Sequence, residues 1–537
     1  MIASRLSMHP VDIAIIILYF IGIVVLGCWA GCKKKQGTGE SGYFLAGRTL
    51  IWPVIGLSLF STNISTVHLV SLAQEGYVNG LAYGSFEWMA IVPLLALSLF
   101  FAPFYIRANI ATLPDFLEKR YSRQCRDWLA IISIISAIFI HIGFSLYTGA
   151  VVLRGMFGVN IIFSIVVIAI VTGLYTAIGG LLAVVLTESI QTIILLVGAI
   201  CITAISYYHV GGWSGLSQSV EPVKLTLLRS SSDPAQLPWY SVFLGYPVIG
   251  LWYWCADQTI VQRVLGAKDE NHARLGPLFA GFIKILPVFI FVLPGLICLA
   301  LIRQGKLPNT LTDSGDTYAF MVNNLLPVGL KGLVAAALLA ALMSTVSGAL
   351  NSIATLFSYD ILKRYHPNVS DKTMIMSGRI VTVIAMIAAI IWSPFVSHYN
   401  SIFQGITAII CYIAPPISAV FILGVFWSRA SASAALATLW SGSFLGIVVF
   451  ILDWFKNSTH WSIPPMMSAF YLFVICLILM IVVSLCSREQ QKKGNDILVW
   501  RNPLEAFKSD KKFSIFDYRI VAALLIAIFI GLYIVFK

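Results

Sequence analysis

Long apolar runs recur along the whole 537-residue chain, and they restrict its fold more than any other feature. About 20 apolar residues in a helix span the roughly 30 Å hydrocarbon core of a bilayer. Within that core only helices and closed barrels satisfy every backbone polar group. The mean hydropathy is +0.89 and 11% of the residues are charged, against about 25% in ordinary soluble domains. The sequence therefore predicts an all-α polytopic membrane protein without a large soluble domain.

The apolar runs predict about fourteen transmembrane helices. Two of them, 50–73 and 329–361, are less apolar than the others because they contain many hydroxyl side chains. The predicted spans are 11–31, 50–73, 80–106, 127–153, 159–178, 181–208, 239–262, 275–302, 329–361, 374–395, 399–424, 431–452, 462–486 and 518–536.

The basic residues lie in short loops between the predicted spans rather than in one domain. For this reason the formal net charge of +12 does not indicate nucleic-acid binding. Lys33, Lys34 and Lys35 follow the first span, and Arg120 and Arg123 follow the third. With these loops in the cytoplasm, the positive-inside rule places both termini outside it. We expect a multi-pass protein of the cell membrane, which in a bacterium is the inner membrane.

Polar side chains gather within several of the predicted spans. The stretch STNISTVH (61–68) contains six hydrogen-bonding side chains, and MSTVSG (343–348) lies about 280 residues later. A single serine or threonine in a membrane helix often bonds only to its own backbone. Two such stretches in separate spans are instead typical of transporters, which build a central site from interrupted helices. Charged residues in spans also mark functional sites by default, and here they are Glu87, Glu188, Asp257 and Lys284.

Seven motifs carry a resemblance to a known family. They are GYFLAGR (42–48), STNISTVH (61–68), FEW (86–88), YTAIGGLLAVVLTESIQ (175–191), LWYWCADQTIVQR (251–263), ALNSIATLFSYDI (349–361) and APPISAVFILGVFW (414–427). In this order and at this spacing they resemble the sodium:solute symporter family, and most of all its sodium/glucose and sodium/myo-inositol branch. The resemblance covers about residues 10–490.

The resemblance implies a LeuT-type fold with two inverted five-helix repeats. The first repeat is expected at 50–208 and the second at 239–424. An extra N-terminal helix at 11–31 precedes them, and three additional helices within 431–537 follow them.

The resemblance also implies a sodium site and a sugar site. Sodium is expected between the carbonyl groups of Ser61, Ile64 and Ala341 and the hydroxyl groups of Ser344 and Thr345. The sugar is expected to contact Asn63, His68, Glu87, Tyr253, Trp254, Lys284 and Gln404. Such a site offers both donors and acceptors to sugar hydroxyls, and Glu87 is expected to pair with a basic or amide neighbour.

A second ion or proton site would involve Glu188 and Ser347. Gly348 stands where family members that use two sodium ions have a hydroxyl, so we expect one sodium per transport cycle. A proton contribution through Glu188 stays open at this point.

The predicted function is sodium-coupled import of a hexose-like sugar by alternating access. The same fold could instead carry a polyol such as myo-inositol, an amino sugar or another small polar solute. A membrane sensor that binds sugar without moving it is a third hypothesis. An enzyme is disfavoured because the chain has no H-E-x-x-H or G-x-S-x-G motif. The lipid bilayer, sodium and the small solute are the expected partners, and the oligomeric state is not predicted.

Overall fold

The computed structural model describes residues 9–32, 39–231, 237–398, 402–487, 498–508 and 516–537. Within these ranges the regular structure is helical, apart from isolated bridges at Leu50–Ala267 and Arg229–Pro238. Eleven helices of the described chain are long and apolar enough to cross a membrane. The all-α membrane class is therefore confirmed, whereas the count of fourteen spans and the position of the termini stay predictions.

The helices follow one another with short connections. The first half contains α1 (Pro10–Cys32), α2 (Glu40–Phe44), α3 (Trp52–Asn63), α4 (Thr66–Asn79), α5 (Gly84–Met89), α6 (Ile91–Ala96), α7 (Ala102–Arg107), α8 (Leu113–Arg120), α9 (Arg123–Ser136), α10 (Phe144–Phe157), α11 (Ile161–Val210) and α12 (Gly212–Ser219). The second half contains α13 (Trp239–Leu251), α14 (Gln258–Leu265), α15 (Glu270–Ile283), α16 (Leu293–Arg303), α17 (Thr317–Leu325), α18 (Leu330–Leu356), α19 (Lys363–Tyr365), α20 (Asp371–Trp392), α21 (Ile402–Phe426), α22 (Ala432–Trp454), α23 (Lys456–Thr459), α24 (Pro465–Cys486) and α25 (Tyr518–Val535). Wider π-helical turns occur at Leu97–Phe101, Ala137–Gly143, Trp252–Ala256, Val288–Val292 and Phe357–Leu362.

The span that contains STNISTVH is interrupted in its middle. α3 ends at Asn63, Ile64 and Ser65 are extended, and α4 begins at Thr66. Serine, threonine and asparagine favour such a break because their side chains bond to nearby backbone groups. Here the backbone N–H of Ser65 donates to Nδ1 of His68 at 3.2 Å, which caps the start of α4. The last carbonyl groups of α3 are thereby left without helical partners.

A second interruption lies at Asp257, between the π-helical turn Trp252–Ala256 and α14. The backbone of Asp257 is extended, and its Oδ1 accepts from the N–H of Thr259 at 2.7 Å. This is the N-cap arrangement that aspartate favours. The described residues thus include two interrupted membrane helices that are rich in polar side chains, which is typical of transporters.

The 50-residue helix α11 bends at Gly180, which has φ of +62° and ψ of −161°. A side chain is disfavoured in this conformation, and a Cβ would overlap the backbone of Tyr43. The bend separates the predicted spans 159–178 and 181–208.

Helix α18 lies at the centre of the molecule. In the span Leu330–Tyr365, 94% of the residues in the most apolar stretch are buried. The corresponding share is 22% to 28% for the spans of α1, α20, α22, α24 and α25, which indicates that these helices face lipid. Most polar side chains on α18, such as Ser344, Ser347 and Ser352, are therefore held inside the protein.

Helices α4 and α16 cross closely at the glycines Gly76 and Gly295. A Cβ at Gly295 would overlap the backbone of Ala73 and Tyr77. We expect Gly295→Ala to destabilise the fold by about 1–3 kcal/mol, because the two backbones would have to separate. The matched control is Gly22→Ala in α1, where a Cβ meets nothing within 4 Å. Thermal unfolding of the purified protein should show a lower midpoint for Gly295→Ala alone, and equal midpoints would contradict this packing.

Candidate functional site

A cavity of about 870 Å³, counted with its mouth, lies beside the two interrupted helices. Most of its wall is apolar or aromatic, with a few polar groups among them. The lining residues include Asn63, Ser65, His68, Glu87, His141, Ser145, Tyr246, Tyr253, Trp254, Lys284, Thr345, Ile406, Thr407 and Ile410.

One wall of the cavity carries a buried ion pair. Lys284 Nζ lies 2.5 Å from Oε2 of Glu87, and the two side chains are only 1% and 3% exposed. His68 Nε2 lies 3.8 Å from the other oxygen of Glu87. Lys284 Nζ also lies 5.6 Å from the centre of the Trp254 ring, within cation–π range. The expected basic neighbour of Glu87 is present, and it is the residue that follows α15, 197 residues further along the chain.

A second polar group is formed by Asn63 and Tyr253. The amide of Asn63 donates to the Tyr253 hydroxyl at 3.1 Å. Among the described residues, the buried Oδ1 of Asn63 has no hydrogen-bond partner. Because buried polar atoms are nearly always bonded, this oxygen is an acceptor that the described protein groups leave unsatisfied.

Four of the five predicted sodium ligands, Ser61, Ala341, Ser344 and Thr345, also come together. The Ser344 hydroxyl donates to the Ser61 carbonyl at 2.8 Å, so α18 contacts the broken end of α3. The Thr345 hydroxyl lies 3.2 Å from the carbonyls of Thr62 and Ala341. Ile64, the fifth predicted ligand, is the extended residue that follows α3.

This cluster of oxygens can accept a hard cation. Hydroxyl hydrogens rotate about the C–O bond, so a serine or threonine that donates to a carbonyl can instead turn a lone pair towards a cation. The freed carbonyls at the end of α3 carry the partial negative charge of a helix C-terminus. Oxygen ligands without thiolate or imidazole suit ions of groups 1 and 2 better than transition metals.

Glu188 already has a cationic partner. Oε1 of Glu188 accepts from the Arg263 guanidinium at 2.8 Å, and Ser58 donates to Oε2. A Cβ added at Gly348 would overlap this guanidinium. Ser347 donates to the Ser344 carbonyl at 3.0 Å. The role of Glu188 and Ser347 as a second ion or proton site stays a prediction, although the carboxylate is already neutralised by Arg263.

Gln404 belongs to α21, but its side chain lies outside the described residues. The next residues of the same helix, Ile406 and Thr407, line the cavity. The six other predicted sugar contacts all line it as well.

Sequence reasoning missed one polar wall of the cavity. His141 lies in the π-helical turn between α9 and α10, and its Nε2 is 2.7 Å from Oδ2 of Asp257. Ser145, one turn further, also lines the cavity. The available signal was a lone histidine in the middle of the apolar stretch IFIHIGF.

The geometry can be compared with known proteins. The sequence profile of the sodium:solute symporter family matches residues 43–442. The chain belongs to this family. The sodium/glucose cotransporter 1 of Sus scrofa is 33% identical over 528 residues, covering 89% of this chain and 79% of that protein. The sodium/myo-inositol cotransporter 2 of Sus scrofa is 35% identical over 478 residues, covering 83% and 71%. The predicted family and branch are therefore confirmed.

Two solved structures share the fold of this sodium:solute symporter. A Na⁺-coupled sialic acid symporter in a substrate-bound outward-open state matches with a TM-score of 0.78 and 21% identity, covering 90% of this chain and all of that one. The nucleobase-cation-symport-1 family transporter Mhp1 matches with a TM-score of 0.53 and 12% identity, covering 86% and 100%. The predicted LeuT-type fold is confirmed, and the relatives are transporters rather than enzymes.

Proposed function

We propose that this sodium:solute symporter imports a hexose-like sugar by coupling it to the inward movement of sodium. The observation that carries the proposal is the contact between α18 and the broken end of α3 beside the polar cavity. Ser344 reaches the Ser61 carbonyl there, while Thr345 both contacts α3 and lines the cavity. An ion bound at this junction can therefore affect the solute site directly.

The cavity residues are assigned to the solute. Glu87 accepts from sugar hydroxyls, and Lys284 and His68 donate to them. Asn63 offers its unbonded Oδ1. Tyr253 and Trp254 supply the aromatic faces that pack on the apolar side of a sugar ring. Donors and acceptors are both required because a buried hydroxyl left unpaired would cost affinity.

Sodium is assigned to the junction of α3 and α18. When it binds from outside, its ligands tie the two helices together and favour the outward-open state, which is a shift of population by differential affinity. Solute binding and inward rocking follow, and sodium leaves to the cytoplasm with the solute. One charge that crosses 100 mV contributes about 2.3 kcal/mol, enough with the sodium gradient to concentrate a neutral solute.

We propose a stoichiometry of one sodium per cycle. The guanidinium of Arg263 occupies the space next to Gly348 and neutralises Glu188. A second cation at this place would lie close to a resident positive charge in a low-dielectric site, which is unfavourable.

A polyol is the second candidate cargo. The myo-inositol cotransporter 2 of Sus scrofa is about as similar to this chain as the sodium/glucose cotransporters are, at 35% against 33% to 36% identity. A cyclic polyol presents the same ring of hydroxyls to Glu87, Lys284 and Asn63.

Uptake into proteoliposomes distinguishes these cargoes. The purified protein is reconstituted, and labelled hexoses, amino sugars and polyols are offered with sodium, lithium or potassium outside. We expect sodium-dependent accumulation of one hexose or its close analogues. Accumulation of myo-inositol alone would show that the cargo is a polyol and not a hexose. Binding without accumulation would indicate a sensor. Uptake that follows a proton gradient without sodium would contradict the assignment of sodium as the coupling ion.

A further inference from the structure

The N-terminal helix α1 lies outside the predicted repeats, yet it forms hydrogen bonds to α18 at two positions along the helix axis. Its buried residues Asp12, Tyr19, Ile23, Gly27 and Ala30 lie on one face, whereas the other described residues of the helix are exposed or half-buried. Two of these five, Asp12 and Tyr19, carry polar groups, which is unusual for a helix that otherwise faces lipid. Both polar side chains bond to α18.

The first contact, made by Asp12, caps the N-terminus of α18. Oδ1 of Asp12 accepts from the backbone N–H groups of Gly329 at 2.8 Å and Gly332 at 2.7 Å. A carboxylate at a helix N-terminus satisfies free N–H groups and complements the positive end of the helix dipole. This contact fixes the start of α18 relative to α1.

The second contact lies beside the predicted sodium ligands. The Tyr19 hydroxyl donates to Sδ of Met343 at 3.7 Å and accepts from the side-chain amide of Gln191 at 3.0 Å. Tyr175 donates to the Met343 carbonyl at 3.4 Å. Met343 immediately precedes Ser344, so this polar layer holds the turn of α18 from which the ligand hydroxyls project.

Two contacts about 11 residues apart along α18 determine both the rotation and the axial position of the helix, because each residue advances about 1.5 Å along the axis. The hydroxyl of Ser344 reaches the Ser61 carbonyl at 2.8 Å only in that setting. A rotation or a shift of less than one turn would move the ligand hydroxyls away from the broken end of α3.

We propose that α1 is a positioning element of the sodium site, and that Tyr19 holds the turn of α18 at Met343 for the ligands Ser344 and Thr345. Tyr19 does not contact the ion or the solute. The inference rests on the proposed sodium-coupled function, and it predicts that α1 affects sodium affinity more than solute affinity.

The test is Tyr19→Phe, which removes the hydroxyl and keeps the ring packed between α11 and α18. Binding of radioactive sodium to the purified protein is measured without solute, and sodium and sugar dependence of uptake are measured in proteoliposomes. We expect the sodium concentration for half-saturation to rise by about threefold to tenfold, as loss of one buried hydrogen bond implies. The sugar concentration for half-saturation at saturating sodium should change less than twofold.

The matched control is Tyr318→Phe in α17. Tyr318 is fully buried, and its hydroxyl has no hydrogen-bond partner among the described residues. This variant should bind sodium as the wild type does. A merely structural role of Tyr19 would lower the amount of active transporter without changing either half-saturating concentration, and that result would overturn the inference.

The outcomes also separate the inference from the function it rests on. If the wild type binds sodium and Tyr19→Phe binds it equally well, the inference is wrong and the proposed function stands. If the wild type neither binds sodium nor depends on it for uptake, the proposed function fails and the inference falls with it.

Discussion

A protein that carries both Ser344→Ala and Thr345→Ala is expected to lose sodium-driven accumulation of its solute. The two hydroxyls join α18 to the broken end of α3, and no other side chain is assigned to the sodium ion. A hydrogen bond or ligand contact to a charged group contributes about 1.5–3 kcal/mol, and 1.4 kcal/mol corresponds to tenfold in affinity. Loss of both hydroxyls should therefore weaken sodium binding by about a hundredfold or more.

The measurement is uptake as a function of external sodium. Ser352→Ala is a suitable control, because Ser352 lies two turns further along α18, is fully buried, and its hydroxyl has no partner among the residues described. The control should keep the wild-type sodium dependence. A double variant with unchanged sodium dependence would place the ion elsewhere and direct attention to Glu188.

Breaking the pair between Glu87 and Lys284 is expected to have an effect of similar size. Both side chains are almost completely buried, with Nζ and Oε2 2.5 Å apart. Removal of one partner, as in Lys284→Met, leaves an unpaired charge in the protein interior and costs about 3–5 kcal/mol. Thermal unfolding should begin at a lower temperature, and binding of the solute should be lost.

The double variant Glu87→Gln, Lys284→Met separates stability from binding. With both charges removed, the free energy of unfolding should return most of the way from the value of Lys284→Met to that of the wild type, since neutral groups of similar size replace the ion pair. Solute binding should stay absent because the ammonium donor is gone and a neutral amide replaces the carboxylate acceptor. Recovery of both properties would show that the pair is structural only.

An exposed ion pair provides the control for the variants of Glu87 and Lys284. Arg303 and Glu221 lie 2.7 Å apart, with side chains 40% and 48% exposed. Arg303→Gln should change the free energy of unfolding by less than about 1 kcal/mol, because water already solvates and screens both charges.

The sequence predicted the parts of the site that depend on local chemistry. The hydroxyl-rich stretch 61–68 indicated an interrupted helix, and the structure has the break at Ile64 and Ser65. Charges in apolar spans are costly enough to be informative individually, so Glu87 and Lys284 could be selected before their pairing was known. Their assigned roles depend on the family resemblance.

Pairings between distant residues could not be predicted in the same way. Arg263 lies 75 residues from Glu188, and nothing in either neighbourhood specifies the other. Asp12 appears in the sequence as an ordinary residue at the start of a helix, and its role in capping α18 follows only from the packing. His141 looks like a single buried polar residue until Asp257 is placed beside it.

The number of spans is also less certain from hydropathy than the fold class. Helix α3 has 12 residues and ends at the break, so it is too short to span the bilayer as one continuous helix. Helix α11 has 50 residues, and the bend at Gly180 divides it into two predicted spans. Breaks and bends of this kind follow from function and from single glycines rather than from average apolar character.

An overshoot experiment shows whether sodium drives the solute against its concentration gradient. Proteoliposomes with equal concentrations of the labelled solute on both sides receive an inward sodium gradient and a negative internal potential. The account predicts that the internal solute rises above the external concentration and then declines as the gradient dissipates, and that Ser344→Ala with Thr345→Ala abolishes this rise. If a solute that the protein carries stays at equal concentrations while sodium flows inward, transport is not coupled to sodium and the account is wrong.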